Sequence, residues 1–176
     1  MKITSSILVL VIALIAGFQS SFTQKTDELK FDGTKFYRFT TQWQGEGKAL
    51  DVINDGKNNN KLHLAKKGKY SGQYWKITPT GEGYYRLTTQ WQGEGKSLDV
   101  INDGKNNQIH LAKTGNYTGQ YWKLTPLGNG YYRLTTQWQG EGKSLDVIND
   151  GKNNNQLHLA KTGNYTGQYW KIEEIE

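Results

Sequence analysis

The chain has 176 residues, a formal net charge of +6 and no cysteine. The missing thiols exclude disulfides, thiolate metal sites and cysteine chemistry, so stability must come from packing. Acidic residues are interspersed with the lysines and no run of like charge occurs, which argues against a nucleic-acid partner.

Residues 1–23 have the layout of an export signal. Lys2 is the only charge before Lys25, Ile7 to Ala16 is an unbroken apolar run of ten residues, and Ser21 and Thr23 form a small-residue cleavage zone. Ten apolar residues are too few to span a bilayer, which takes about 20. Cleavage after Thr23 leaves a secreted chain of 153 residues with a net charge of +5. That is one domain of ordinary size. Residues 24–35 read as an N-terminal linker, and no later apolar stretch is long enough for a membrane span.

From residue 36 onward the chain repeats itself three times. Residues 84–107 and 131–154 are identical at all 24 positions, and residues from Phe36 form a slightly divergent first copy. Trp43, Trp91 and Trp138 are spaced 48 and 47 apart, so the copies span 36–83, 84–130 and 131–176. Repeat two is one Asn shorter, with Asn106 and Asn107 where the others have three. Repeat one differs most: Ala49 stands for Ser97, Lys61 for Gln108 and Lys69 for Asn116.

The pattern inside each unit is alternation bounded by Gly, Asn and Asp clusters, which predicts strands. Repeat two reads as four: Tyr84 to Trp91, Ser97 to Asn102, Gln108 to Lys113, and Gln120 to Thr125, the last ended by Pro126 and Gly128. Three units give twelve strands. Three blades are too few for a propeller, so closure of three four-stranded units about one axis is the expected all-β solution.

Side chains alternate across a strand. Leu98 and Val100 share one face of the second strand, and Ile109 and Leu111 share one face of the third. Each such aliphatic gains roughly 1.5–3 kcal/mol on burial, so these faces point inward. Asp99 and His110 are thereby set together on the outer face of a hairpin, as are Asp51 with His63 and Asp146 with His158. Tyr70, Tyr117 and Tyr165 follow just before the fourth strand. A carboxylate, an imidazole and an aromatic ring suit a sugar, whose hydroxyls take hydrogen bonds and whose C–H face takes a ring.

Other chemistries find less support. Outward hairpin positions would put the three His on separate lobes, so no metal site is expected. The segment from Asp99 has Ile101 and His110 where an EF-hand loop wants carboxylate or amide oxygens. No nucleophile set, phosphate loop or carboxylate cleft appears, so neither catalytic residues nor a cofactor is expected. Asn116 and Asn164 begin glycosylation sequons that would crowd the same surface.

The unit resembles the ricin B-chain lectin repeat. Leu-Asp-Val recurs at 50–52, 98–100 and 145–147. Gln-x-Trp recurs as Gln73-Tyr74-Trp75, Gln120-Tyr121-Trp122 and Gln168-Tyr169-Trp170. The resemblance covers about residues 36–172. It implies a β-trefoil, with a six-stranded barrel capped by three hairpins. It also implies sugar-hydroxyl acceptors at Asp51, Asp99 and Asp146, a second hydrogen bond from His63, His110 and His158, and a motif Gln that helps orient each Asp. Two positions depart from the family pattern. Ala65, Ala112 and Ala160 stand where an aromatic platform is usual, and Gly72, Gly119 and Gly167 stand where an Asn is usual. Either the three Tyr or Trp43, Trp91 and Trp138 replace the platform, or the site recognises something else.

The expectation is a secreted, monomeric but multivalent lectin with up to three equivalent weak sites for glycans, galactose-like ligands being suggested by the family alone. The alternative is a trefoil interaction module, binding protein or serving a structural role, that has lost sugar binding.

Overall fold

The computed structural model describes residues 31–176; the expected export signal and most of the expected linker lie outside the described residues. Repeat one contributes β1 (Tyr37–Thr41), β2 (Lys48–Val52), β3 (Leu62–Lys66) and β4 (Trp75–Gly81). Repeat two contributes β5 (Tyr84–Thr89), β6 (Lys96–Val100), β7 (Ile109–Lys113) and β8 (Trp122–Gly128). Repeat three contributes β9 (Tyr131–Thr136), β10 (Lys143–Val147), β11 (Leu157–Lys161) and β12 (Trp170–Glu174). The first and fourth strands of the repeats close into one barrel, in the order β1-β12-β9-β8-β5-β4, and the middle pairs form three separate two-stranded hairpins. This is an all-β trefoil. Closure leaves no free barrel edge. Among the described residues no helix is long and apolar enough to cross a membrane.

The core is built threefold from the alternating faces. Trp75, Trp122 and Trp170 are fully buried. Each indole Nε1 donates to a second-strand carbonyl, Leu50, Leu98 or Leu145, at 3.0, 2.8 and 2.9 Å. A buried Trp needs such a partner, and this one ties each hairpin to the barrel wall. Phe39, Leu87 and Leu134 fill equivalent buried places. The larger Phe39 meets Trp75 edge to face at 6.1 Å.

Several boundaries differ from the sequence reading, among them the second strand of repeat two, which ends at Val100 and not at Asn102. The first strand of repeat two stops at Thr89, two residues short of Trp91. Gly93 takes a left-handed φ of 67° and donates its N–H to the Thr89 carbonyl, so the chain turns before the Trp. The fourth strand runs through Pro126 to Gly128 rather than ending before them. Pro126 pairs with Tyr132 beside a bulge, the kind of place where a strand tolerates proline. Gln120 lies in a 3-10 turn, Thr118–Gln120, ahead of that strand.

Residues 31–35, read from sequence as linker, pack on the barrel. The Phe31 ring makes edge-on contacts with Tyr37, Tyr85 and Tyr132, one from each repeat, at 5.3, 5.7 and 6.0 Å. A single residue outside the repeats therefore sits on the threefold axis.

Candidate functional site

Asp51 and His63 face each other across the β2–β3 hairpin, as do Asp99 and His110 across β6–β7, and Asp146 and His158 across β10–β11. The carboxylates are held firmly. Asp51 Oδ1 accepts the Val52 N–H at 2.8 Å, and Oδ2 accepts Gln73 Nε2 at 3.0 Å. The same pair of bonds recurs at Asp99 and Asp146. An ionised carboxylate offers about four lone-pair sites, so roughly half remain for ligand hydroxyls.

Gln73, Gln120 and Gln168 have no exposed surface. Each also donates to a third-strand carbonyl and accepts the N–H of Gly68, Gly115 or Gly163. These three residues, grouped from sequence with the sugar site, therefore belong to it only indirectly: burial bars them from a ligand, and they fix the Asp, as the resemblance implied. Gly72, Gly119 and Gly167 explain the departure at the preceding position. A Cβ on any of them would collide with the Asp Oδ1, so Gly lets the turn close onto the carboxylate.

Tyr70, Tyr117 and Tyr165 are the exposed large hydrophobic residues of the described chain, at 59%, 61% and 60%. Their mounts are rigid. The Tyr70 ring lies so close over Gly68 that a Cβ there would strike it, and the Gly68 carbonyl accepts Arg38 Nη2 at 2.9 Å. Arg86 and Arg133 hold Gly115 and Gly163 in the same way at 2.8 Å. Each Arg also lies over the ring of Tyr74, Tyr121 or Tyr169.

Three open cavities result, and each is completed by the neighbouring repeat. Asp51, His63 and Tyr70 line one of about 600 Å³ together with Trp91 of repeat two. Asp146, His158 and Tyr165 line one of about 510 Å³ together with Trp43 of repeat one. Asp99 and Tyr117 line the smallest, about 350 Å³, together with Trp138 of repeat three, and His110 does not line it. The backbone fixes this handover. Trp91, Trp138 and Trp43 donate their N–H groups to Ser71, Thr118 and Thr166 at 3.2 Å. Both aromatic candidates thus reach the cavity, from opposite sides of a repeat junction. That the Trp serves the preceding repeat is not written in any motif. It follows from the turn at Gly93 and its equivalents, where the strand was expected to continue.

The three His do not stand on separate lobes. His63, His110 and His158 all line a further cavity of about 800 Å³, with Ile53, Ile101 and Ile148, where the three hairpins converge. Inter-repeat bonds from Leu64, Leu111 and Leu159 N–H to the Asn155, Asn60 and Asn107 carbonyls draw the hairpins together there. Among the described residues no three His, Asp or Glu side chains are grouped so as to hold a metal ion. Burial lowers the His110 pKa below its ordinary value of 6.5, and the Asp99 charge opposes the shift. The ring is accordingly neutral at pH 7 and can donate from one nitrogen and accept at the other.

Repeat one differs where it was expected to. Ser97 and Thr114 hydroxyls bond at 2.7 Å, and Ser144 and Thr162 at 2.6 Å. Ala49 and Lys67 replace that pair together in repeat one. Asn116 and Asn164 accept the hydroxyls of Tyr121 and Tyr169 at 3.2 Å, which Lys69 cannot do.

Residues 28–112 match the sequence model of the ricin-type beta-trefoil lectin domain-like family. Repeat three lies beyond the match, but its residues 131–154 copy 84–107 within it. No curated protein matches the chain. Among solved structures, the fold superposes on a designed threefold-symmetric protein, ThreeFoil, with TM-score 0.70 and 27% identity, covering 82% of this chain and all of that one. SeviL, solved bound to the asialo-GM1 saccharide, gives 0.59 at 19% identity, covering 81% of this chain and 98% of SeviL. An exo-β-1,3-galactanase from Clostridium thermocellum gives 0.69 at 22% identity, covering 83% of this chain. This chain spans only 31% of the galactanase, so there the shared fold is part of a longer protein.

Proposed function

We propose that this chain, whose residues 28–112 match the ricin-type beta-trefoil lectin domain-like family, is an exported, non-enzymatic lectin that binds glycans through three shallow sites. The observation that carries the reading is the threefold convergence, in one cavity each, of a held carboxylate and two aromatic rings from adjoining repeats. Asp51, Asp99 and Asp146 accept sugar hydroxyls. Tyr70, Tyr117 and Tyr165 with Trp91, Trp138 and Trp43 offer faces to the pyranose C–H groups and replace the platform missing at Ala65, Ala112 and Ala160. His63 and His158 add a second hydrogen bond in their cavities; His110, across the hairpin from Asp99, is outside the lining of the repeat-two cavity.

Open cavities of this kind hold a single sugar weakly. Three on one rigid body gain about 10²- to 10⁴-fold on a multivalent surface that matches their spacing. SeviL, which shares the fold, was solved with the asialo-GM1 saccharide, so that saccharide is a first probe. A glycan array, run at high and low density with the chain lacking residues 1–23, tests the reading. Binding that strengthens with density supports it, and silence on every glycan overturns it. In that case the alanines at the platform position favour a trefoil that binds protein instead.

A further inference from the structure

The three cavities are built alike but do not carry the same charge. Lys66 and Lys69 line the repeat-one cavity beside Asp51; Lys66 has counterparts in Lys113 and Lys161, so Lys69 is the charge particular to this repeat. No lysine or arginine lines either of the other two, where Asn164 or Asn116 occupies the place of Lys69. The substitution changes more than one residue's charge. In repeats two and three the Asn is tied to a Tyr hydroxyl, whereas Lys69 makes no hydrogen bond or ion pair within the described chain. Its neighbour Lys67 is engaged at 3.7 Å by Glu173, while Lys69 lines both the repeat-one cavity and an adjoining one that holds Glu173, Glu174 and Glu176. Sites two and three, which carry Asn in the place of Lys69, serve as comparison sites for site one.

We infer that the repeat-one cavity prefers an acidic saccharide, one bearing a carboxylate or sulfate beside the sugar that Asp51 and Trp91 hold. The inference rests on the proposed glycan binding. The carboxylate of Asp51 turns inward to Val52 and Gln73, which leaves the Lys69 ammonium to meet an anionic substituent at the rim. Sites two and three, with Asn in the place of Lys69, favour neutral saccharides. One chain then reads two classes of sugar on one surface.

The test is a two-dimensional NMR titration of the full chain with sialyllactose and with lactose. The indole N–H groups of Trp91, Trp138 and Trp43 each report one cavity, and those of Trp75, Trp122 and Trp170 are bonded in the core. The expected result is that Trp91 responds to sialyllactose at lower concentration than to lactose, while Trp138 and Trp43 show the reverse. The expected preference at Trp91 is about two- to fivefold, the range for an exposed ion pair, and shrinks with added salt. Lys69→Asn should bring the sialyllactose-to-lactose ratio at Trp91 to that of the other two, and Asn164→Lys should raise the ratio at Trp43. Equal ratios at all three indoles, or a ratio at Trp91 unchanged by Lys69→Asn, overturn the inference and leave the lectin reading standing. No response of any indole to either sugar, with a silent array, overturns both.

Discussion

The backbone N–H of Trp91 donates to the carbonyl of Ser71 at 3.2 Å, across the boundary between two repeats. That bond brings a ring from repeat two to the cavity that Asp51 and Tyr70 begin. Replacing Trp91 with Ala should therefore weaken the site of repeat one and leave those of repeats two and three intact. The expected loss is ~0.5–1.5 kcal/mol of stacking, up to about tenfold in affinity. Titration with a glycan that the parent binds, followed at Trp138 and Trp43, checks it. A loss at all three sites would mean that the cavities do not act separately.

Removing the carboxylates should abolish binding at a measurable cost in stability. On sequence grounds Asp51, Asp99 and Asp146 are exposed, and their replacement would be nearly neutral. The structure places Asp51 at 9% exposure and gives each Asp a buried Gln amide to receive. Truncation to Ala leaves one Gln N–H without its acceptor, which costs about 1–3 kcal/mol. Chemical denaturation of the single variants should show that loss, and a glycan array of the triple variant should be blank. Parental stability together with parental binding would make the carboxylates bystanders.

Gly119→Ala should damage site two although it adds only a methyl group. The new Cβ would occupy the position of Asp99 Oδ1, so either the carboxylate swings away from Gln120 or the 3-10 turn shifts. Overpacking of this kind costs about 1–3 kcal/mol. The glycan response at Trp138 should disappear while Trp91 and Trp43 keep theirs.

Trp122→Ala should be far more costly, ~3–5 kcal/mol, because it empties a fully buried place and orphans the Leu98 carbonyl. Thermal unfolding is the direct measurement. A loss similar to that of the Asp variants would show that the indole is not central to the core.

His110 should titrate below the ordinary histidine value, since burial disfavours its charged form more than Asp99 favours it. A lowered folded pKa means that its contribution to stability is complete above about 6.5. That contribution falls as pH drops from there through the folded pKa, because the unfolded chain takes up the proton first. NMR titration of the imidazole against pH reads the shift directly. A midpoint above 6.5 would reverse both statements.

The architecture was legible in the sequence because repetition and alternation are properties of the chain alone. Leu98 with Val100, and Ile109 with Leu111, are buried as the pleat requires, and their outward neighbours Asp99 and His110 pair in register. Residues whose role depends on another repeat were not legible. The Tyr84 strand was read through Trp91 because aromatic and β-branched residues favour strands. The turn at Gly93 sends that Trp to a different cavity. The three His were read as distant because the hairpins were pictured as separate, whereas inter-repeat backbone bonds gather them on the axis. The support that Gln73 gives Asp51 was implied by its motif, whereas its complete burial, out of a ligand's reach, was not legible.

The repeat-three cavity has a property that the other two lack. Its lining comes from residues 146–167 and from Trp43, near opposite ends of the described chain. It therefore has no contiguous precursor in the sequence, and it forms only when β1 has paired with β12 and the barrel is shut. A glycan seated there bridges the first repeat and the last, and so binds the closed ring and not a partly opened one. By mass action occupancy adds free energy to closure, as any ligand does for the state it selects. On a dense glycan surface this site would serve as a clasp, resisting the fraying by which a chain without disulfides would otherwise begin to unravel.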